Sequence, residues 1–426
     1  MVWSAPGFRE ITIDSTAGGH DRAGLVGAVD RMPDFPGLTG DARAILAGTR
    51  LLVVGTGSVG GRIAEHAARC RVGEIGLVDP KTFSANFDTQ VTRSRSDIGR
   101  PKAAQVGAWA KTISPSSIVR VFDGSVQALS WLDLDDYDIV VASTDNLLAE
   151  VYLGETCMAL GLPLLYASVH GPTLCSQVRV FMNRNGDSPC PSCGYSRAER
   201  EQLSSGTRFS CDPAAGGEAD LDGPPTVSVS PLCSLAADMA MLEVLRMRLR
   251  LGSAPCDCVR ELNGYTGASV TTPLSRRAAC GVDHTVLERV YLDRPLGECT
   301  LRDCAEAAGV TGDEGIARTS FAVDDSLFAP VLTCTACEAS HEHNGFVDRR
   351  RGTLPRPCRA CGHHGLAPHP FRSFDRLIPA RAGGLLPHLD VPLRALGADG
   401  RGVVVRYGRK AVLLRWKSDR TRDTTS

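Results

Sequence analysis

Between residues 51 and about 182 the chain alternates short apolar runs with longer stretches in which apolar residues recur every three or four positions. The runs LLVVG, EIGLVD, IVRVF, DIVVAST, LPLLYAS and SQVRVFM are short and predominantly apolar, as buried strands are. GRIAEHAARC and KAAQVGAWAKTI, which separate them, have helical periodicity. This rhythm predicts βαβ units: an α/β fold with a mainly parallel sheet and helices on both faces.

On either side the pattern changes. Residues 1–50 read as a strand-poor lead-in, with turn signals at Met32-Pro33 and Phe35-Pro36 and one short helical pattern, DARAILAG. From 194 to 231 the chain is polar and rich in Gly and Pro, which predicts a long mobile crossover loop, after which 232–251 returns as a helix. Asp238, Glu243, Arg246 and Arg248 interrupt that helix, and nowhere do roughly 18 to 20 apolar residues run uninterrupted as a membrane span requires. Beyond a compositional break near 263–285, TLRDCAEAAGV predicts a short helix, VVVRYGRKAVLLRW a β-hairpin and KSDRTRDTTS a disordered tail.

A length of 426 residues suits one α/β core plus at least one smaller module. The formal net charge of -1 supplies no global field for nucleic acid or an anionic membrane. The N-terminus lacks the basic start and long apolar core of a secretory signal, so the expected location is cytoplasmic. Of sixteen cysteines, eight fall in close pairs, a spacing that thiolate metal ligation explains better than disulfides in a long, unexported chain. Cys334-x-x-Cys337 and Cys358-x-x-Cys361 form two knuckles of a zinc ribbon. So small a module needs its metal, whose binding is worth about 10 to 16 kcal/mol in zinc-finger peptides. Its role reads as a structural appendage or a docking site for a partner protein; nucleic-acid binding through Arg349, Arg350 and Arg351 is disfavoured, because no aromatic platform accompanies them.

The chemistry begins at Gly55-Thr56-Gly57-Ser58-Val59-Gly60, a G-x-G-x-x-G turn between a strand and a helix. Backbone N–H groups at a helix N-terminus bind phosphate, and Asp79, ending the next strand, stands where a ribose hydroxyl would be reached. Taken alone, these features read as a Rossmann-like nicotinamide or flavin dehydrogenase. Lys102 after a D-I-G-R-P turn, and Asp145 at a strand end between Thr144 and Asn146, shift the reading to triphosphate chemistry. There a nucleophile attacking phosphorus needs cations on the phosphates and a carboxylate for Mg²⁺, and hydride transfer needs neither.

In this order the features resemble the ThiF/MoeB family of ubiquitin-activating-type adenylyltransferases over residues of about 31 to 262: glycine turn, Asp79, an S-N-L-x-R-Q-like segment at Ala85 to Gln90, D-I-G-R-P-K at 97–102 and C-T-D-N as Ser143 to Asn146. The resemblance implies that ATP lies over Gly55, Gly57, Ser58 and Gly60, with Asp79 on the ribose, Asn86 and Lys102 on phosphates, Asp145 on Mg²⁺, and Thr144 and Asn146 beside it. It implies a homodimer in which Arg31 reaches the partner subunit's ATP, and a loop cysteine, Cys211, able to accept the acyl group. It places a structural zinc on Cys190, Cys193, Cys256 and Cys258, so that with the ribbon two zinc sites are expected. The implied reaction is ATP-dependent activation of the C-terminal carboxylate of a small ubiquitin-like or sulfur-carrier protein or peptide, with a downstream conjugating or acceptor protein.

Three departures bear on activity: Lys81 replaces a second acidic residue, the loop before Asn86 is one residue short, and Thr89 replaces the arginine of the R-Q pair. A positive charge is thus missing near the phosphates, for which Arg93 and Arg95 are the first candidates and Lys81 a further one. An NAD-dependent oxidoreductase and a non-catalytic scaffold that keeps the fold are the rival readings. The expected organisation is an N-terminal extension (1–30), the adenylation domain with its zinc (31–262), a linker and helical segment (263–330), a zinc-ribbon and hairpin module (331–416) and a tail (417–426).

Overall fold

The computed structural model describes residues 7–12, 35, 38, 40–85, 89–90, 95–196, 208–209, 222–223, 228–253, 256–348, 352–369, 377–398 and 401–416. They divide into two compact units, one formed by Gly7–Leu129 and Asp133–His284, the other by Ser130–Leu132 and the chain from Thr285 onward.

The first unit holds a nine-stranded sheet. In chain order its strands are β1 (Arg9–Glu10), β2 (Arg50–Val54), β3 (Glu74–Val78), β4 (Ile118–Phe122), β5 (Ile139–Ala142), β6 (Leu164–His170), β7 (Cys175–Phe181), β8 (Cys258–Asn263) and β9 (Ser269–Pro273). The helices are α1 (Ala42–Ala47), α2 (Gly60–Arg69), α3 (Lys102–Ile113), α5 (Leu147–Leu160) and α6 (Ser230–Arg248), while the short α4 (Trp131–Asp135) is divided between the two units. The spatial order is β1-β4-β3-β2-β5-β6-β7-β8-β9. The five central strands, β4 to β6 in that order, pair in parallel. β7, β8 and β9 continue antiparallel at one edge, and β1 adds two antiparallel residues at the other. Each of the six apolar runs in 51–182 has become a strand, and α1 falls on the DARAILAG pattern.

Every residue of β3 is buried, as is all of β2 after Arg50, which is why these runs carry no polar alternation. Leu51 and Val53 point into a core shared with Ile63, Ala64 and Ala67 of α2, Val106 and Ala110 of α3, and Ala236, Ala240 and Val244 of α6. The intervening Leu52 and Val54 are equally buried on the opposite face, since successive strand side chains alternate. Cys233 lies in the same core as α6, a packing residue. The parallel order β4-β3-β2-β5-β6 changes direction of winding between β2 and β5, and it is at such a switch point, outside the carboxyl ends of the strands, that open α/β sheets bind ligands.

The second unit contains β10 (Glu288–Leu292), α7 (Leu301–Ala307), α8 (Asp313–Ala317), β11 (Ser320–Val323), β12 (Ser326–Cys334), β13 (Ser340–Asp348), β14 (Leu354–Pro357), β15 (His364–Pro368), β16 (Ile378–Pro379), β17 (Gly402–Tyr407) and β18 (Lys410–Trp416). They form a five-stranded sheet, β10-β18-β17-β11-β16, and a four-stranded one, β13-β12-β15-β14. β17 and β18 form the hairpin expected over VVVRYGRKAVLLRW. α7 starts at a full capping box between Thr300 and Asp303.

This division departs from the expected 263–330 linker. Residues 263–284 stay with the first unit, because β8 and β9 extend its sheet. Residues from 285 belong to the second, where Leu301, Cys304, Ile316 and Phe321 are core. Most of the expected crossover loop and the 417–426 tail lie outside the described residues. No helix among the described residues is long and apolar enough to cross a membrane.

Candidate active site

A cleft of about 560 Å³ opens at the switch point, and its walls include Gly57, Asp79, Lys81, Lys102, Thr144 and Asp145. The glycine turn forms its floor. A Cβ on Gly60 would lie 1.8 Å from the carbonyl oxygen of Gly55, so only glycine lets the start of α2 close on the end of β2. Gly57 is the reverse case: a Cβ there would meet no protein atom within 4 Å, because the residue faces the open cleft. Gly55 and Ser58 share the wall, while Gly60 is buried beneath it.

Asp79, buried at the end of β3, braces the turn. Its Oδ2 accepts from Thr56 N at 2.7 Å and Thr56 Oγ1 at 3.1 Å, and its Oδ1 from Lys81 N at 2.8 Å. Lys102 is the first residue of α3, nearly buried, with its Nζ 6.0 Å from the Phe83 ring centroid. Its backbone N–H donates to Lys81 O at 3.0 Å, tying the two lysines' segments together. Across the cleft, Asn146 is the N-cap of α5: its Oδ1 accepts from Leu148 N at 2.9 Å and Ala149 N at 3.3 Å. The adjacent Asp145 lines the same cleft, where Lys81 Nζ stands 3.7 Å from its Oδ2. Thr144 is held by Tyr166, whose hydroxyl donates to Thr144 O at 2.7 Å and lies 2.6 Å from Thr144 Oγ1.

The structure therefore brings Gly55, Gly57, Ser58, Asp79, Lys102, Thr144, Asp145 and Asn146 to one cleft. Arg31, Asn86 and Cys211 lie outside the described residues. Arg62 is a residue the motif reading missed. From α2 its guanidinium donates to Ser58 O, to Thr89 O at 3.0 Å and, at 2.7 Å, to Ser230 Oγ at the start of α6. An arginine directly after a G-x-G-x-x-G-G run was the only signal for it. The carboxylate of Asp145, facing the cleft, fits a hard cation that keeps several waters, as Mg²⁺ does.

The cysteine expectation needs a correction. In the first unit Cys190 and Cys193 are joined by Cys280 and His284, with all four ligand atoms within 4.8 Å of one another. A tetrahedral ion with Zn–S bonds near 2.3 Å sets sulfurs about 3.8 Å apart; Cys190 Sγ lies 3.9 Å from Cys193 Sγ and 3.7 Å from Cys280 Sγ, and His284 Nε2 is 3.6 Å from Cys193 Sγ. Nδ1 of His284 donates to Ser188 O at 2.8 Å, which leaves Nε2 unprotonated and aimed at the ligand position. Cys256 and Cys258 are not in this cluster: Cys258 opens β8, paired with Val180, and its side chain is spent in the core. The chain returns after β9 instead, with Arg277 donating to the carbonyls of Ser192 and Tyr195, each at 3.1 Å, to seat Cys280. The spacing Cys280-x-x-x-His284 was visible in the sequence and went unread.

In the second unit Cys334, Cys337, Cys358 and Cys361 do form one cluster. Cys334 and Cys361 sulfurs are 3.7 Å apart, and those of Cys337 and Cys358 3.6 Å. Backbone N–H groups of Ala336 and Cys337 hold the Cys334 thiol down at about 6, in favour of the thiolate that binds metal.

Comparison with known proteins bears on both chemistry and boundaries. Over 161 residues the chain is 28% identical to "Adenylyltransferase and sulfurtransferase MOCS3" of Arabidopsis thaliana, a stretch covering 37% of this chain and 34% of that protein. Over 127 residues it is 28% identical to "SAMP-activating enzyme E1" of Haloferax volcanii, covering 29% of this chain and 47% of that one. The chain thus spans about a third to a half of the length of these relatives. The crystal structure of E. coli MccB with succinimide superposes with a TM-score of 0.45 and 16% identity, over 57% of this chain and 68% of that one. Residues 31–282, well over half of the sequence and inclusive of every wall of the cleft, match the ThiF family, and the chain belongs to that family.

Proposed function

We propose that the cleft binds ATP and adenylates the C-terminal carboxylate of a small ubiquitin-like or sulfur-carrier protein or peptide. The observation that carries this reading is that Gly57, Lys102 and Asp145, drawn from three separate chain segments, line one cleft at the switch point of the sheet. The names of the two relatives, an adenylyltransferase and an activating enzyme, support the same reaction class.

In this mechanism the N–H groups at the start of α2 face the phosphates and the helix dipole favours their charge. The remaining acceptor position of Asp79 takes a ribose hydroxyl. Lys102 neutralises charge developing on the triphosphate, and Asp145 would hold Mg²⁺, which, when bound, neutralises phosphate oxygens. The carrier's carboxylate oxygen attacks the α-phosphorus, the bond to the bridging oxygen breaks, and pyrophosphate leaves with that electron pair. The acyl group then passes from AMP to the Cys211 thiol or directly to a downstream acceptor, and AMP leaves with the electron pair of the acyl–phosphate bond. Arg31 and Asn86 complete the phosphate contacts, Arg31 from the partner subunit of a homodimer in the cytoplasm. Zinc on Cys190, Cys193, Cys280 and His284, and on the four cysteines of the second unit, has closed shells and staples structure without touching substrate.

The test is carrier-dependent exchange of pyrophosphate into ATP. Exchange should require the cognate carrier and fall at least about 100-fold, a loss typical of a removed transition-state contact, in Lys102→Ala and in Asp145→Ala. Undiminished exchange in Asp145→Ala rejects the metal assignment, and ATP binding without any exchange favours the scaffold reading.

A further inference from the structure

We propose that Lys81 is a triphosphate-binding residue that competes with a divalent cation for Asp145, so that this protein takes ATP with a reduced dependence on Mg²⁺; the inference rests on the nucleotide reading of the cleft. Lys81 follows β3 and Asp145 follows β5, and β2 lies between those strands. Their contact, 3.7 Å from Nζ to Oδ2, therefore spans the mouth of the cleft over the glycine turn.

The ammonium reaches the very carboxylate from which a metal would be held. An acidic residue at position 81 would add a second negative charge there and strengthen cation binding, whereas a lysine neutralises the first. A doubly charged ion entering this place must displace the ammonium or bear its repulsion. The displaced ammonium has a destination in the triphosphate: among the described residues of the wall beside it, Thr89 stands where the resemblance expects an arginine.

The backbone of Lys81 is fixed for this task. Its N–H donates to Asp79, and its carbonyl accepts from Lys102 at 3.0 Å, so both lysines are placed relative to the brace of the glycine turn. Its side chain remains 38% exposed and that of Asp145 23%, so the pair is held by a solvent-screened attraction that a polyanion can break.

The experiment is calorimetric titration of the full chain with ATP, in EDTA and in Mg²⁺, with Mn²⁺ binding to the ATP complex followed by electron paramagnetic resonance. The native chain should bind metal-free ATP, with Mg²⁺ tightening it by less than about fivefold, the low end of usual coupling between two ligands. Lys81→Gln should weaken metal-free ATP at least about tenfold, a loss equal to 1.4 kcal/mol. Lys81→Asp should bind ATP only with metal and bind Mn²⁺ about tenfold tighter than the native chain does. Lys81→Arg, which keeps the charge, should retain metal-free binding and shows that losses in the other variants are not misfolding. If EDTA abolishes ATP binding to the native chain and Lys81→Gln changes neither titration, the role of Lys81 is refuted while the ATP site stands. If the native chain binds no ATP under either condition, the nucleotide reading falls and the role of Lys81 falls with it.

Discussion

Oδ2 of Asp79 accepts a hydrogen bond from the backbone N–H of Thr56 at 2.7 Å, which makes the end of β3 and the glycine turn a single mechanical piece. The same carboxylate takes two further donors, Thr56 Oγ1 and Lys81 N, so its acceptor-only chemistry matters as much as its charge. Asp79→Asn turns one acceptor into a donor facing donors. It should cost about 1.5 to 3 kcal/mol, the worth of hydrogen bonds to a charged group. The melting temperature should fall by roughly 3 to 5 °C for a unit of this size; an unchanged melting temperature would show that the brace is dispensable.

The two glycines of the turn should separate fold from function. Gly60→Ala forces a Cβ onto the Gly55 carbonyl, and the protein should be grossly destabilised or insoluble. Gly57→Val places its side chain in open cleft, so the melting temperature should stay near that of the native chain while ATP affinity falls at least about tenfold. Native-like ATP binding by Gly57→Val, measured by titration, would mean that phosphate does not pass over Gly57.

Arg62 holds three elements with one guanidinium, joining the glycine turn, the Thr89 segment and the first residue of α6. Arg62→Ala leaves Ser58 O and Thr89 O without this donor and should lower both stability, by about 1 to 3 kcal/mol, and nucleotide affinity. Arg62→Lys should not rescue it, since a single ammonium cannot present a planar fork to three acceptors. Full rescue by lysine, judged by melting and ATP titration together, would reduce Arg62 to a point charge.

Metal content should discriminate the cysteine assignments. The purified chain should carry two zinc ions, as measured by plasma mass spectrometry, and Cys280→Ser or His284→Ala should lose one of them. Cys256→Ser should keep both, because Cys256 lies outside either cluster. Loss of zinc in Cys256→Ser with retention in His284→Ala would restore the Cys190, Cys193, Cys256 and Cys258 set.

A chelator should act differently on the two units. The four-stranded sheet of the second has a small apolar core of Ala329, Leu332, Val347 and Leu366 around Cys334 and Cys358. Without metal worth about 10 to 16 kcal/mol, so few buried residues cannot offset the cost of ordering the chain. Limited proteolysis after chelation should cut within 331–368 while β17 and β18, packed in the larger core, stay protected. Protection of 331–368 in the stripped protein would contradict this.

Local residue identity was enough to read the doubly wound sheet, the glycine turn and most of the cleft. Strands buried on both faces must be apolar throughout, and a turn that approaches a phosphate must be glycine, so burial and close approach are both written into local residue identity. The ribbon was legible for the same reason, since two Cys-x-x-Cys knuckles carry their geometry in their spacing. That Cys280 and His284, not Cys256 and Cys258, complete the first cluster follows from the fold, because β8 commits Cys258 to the core before the chain turns back. The fold likewise sets Lys81 beside Asp145 and Arg62 across three elements. Those partners are separated by tens of residues or more, and strand order, which no short motif encodes, sets which of them meet.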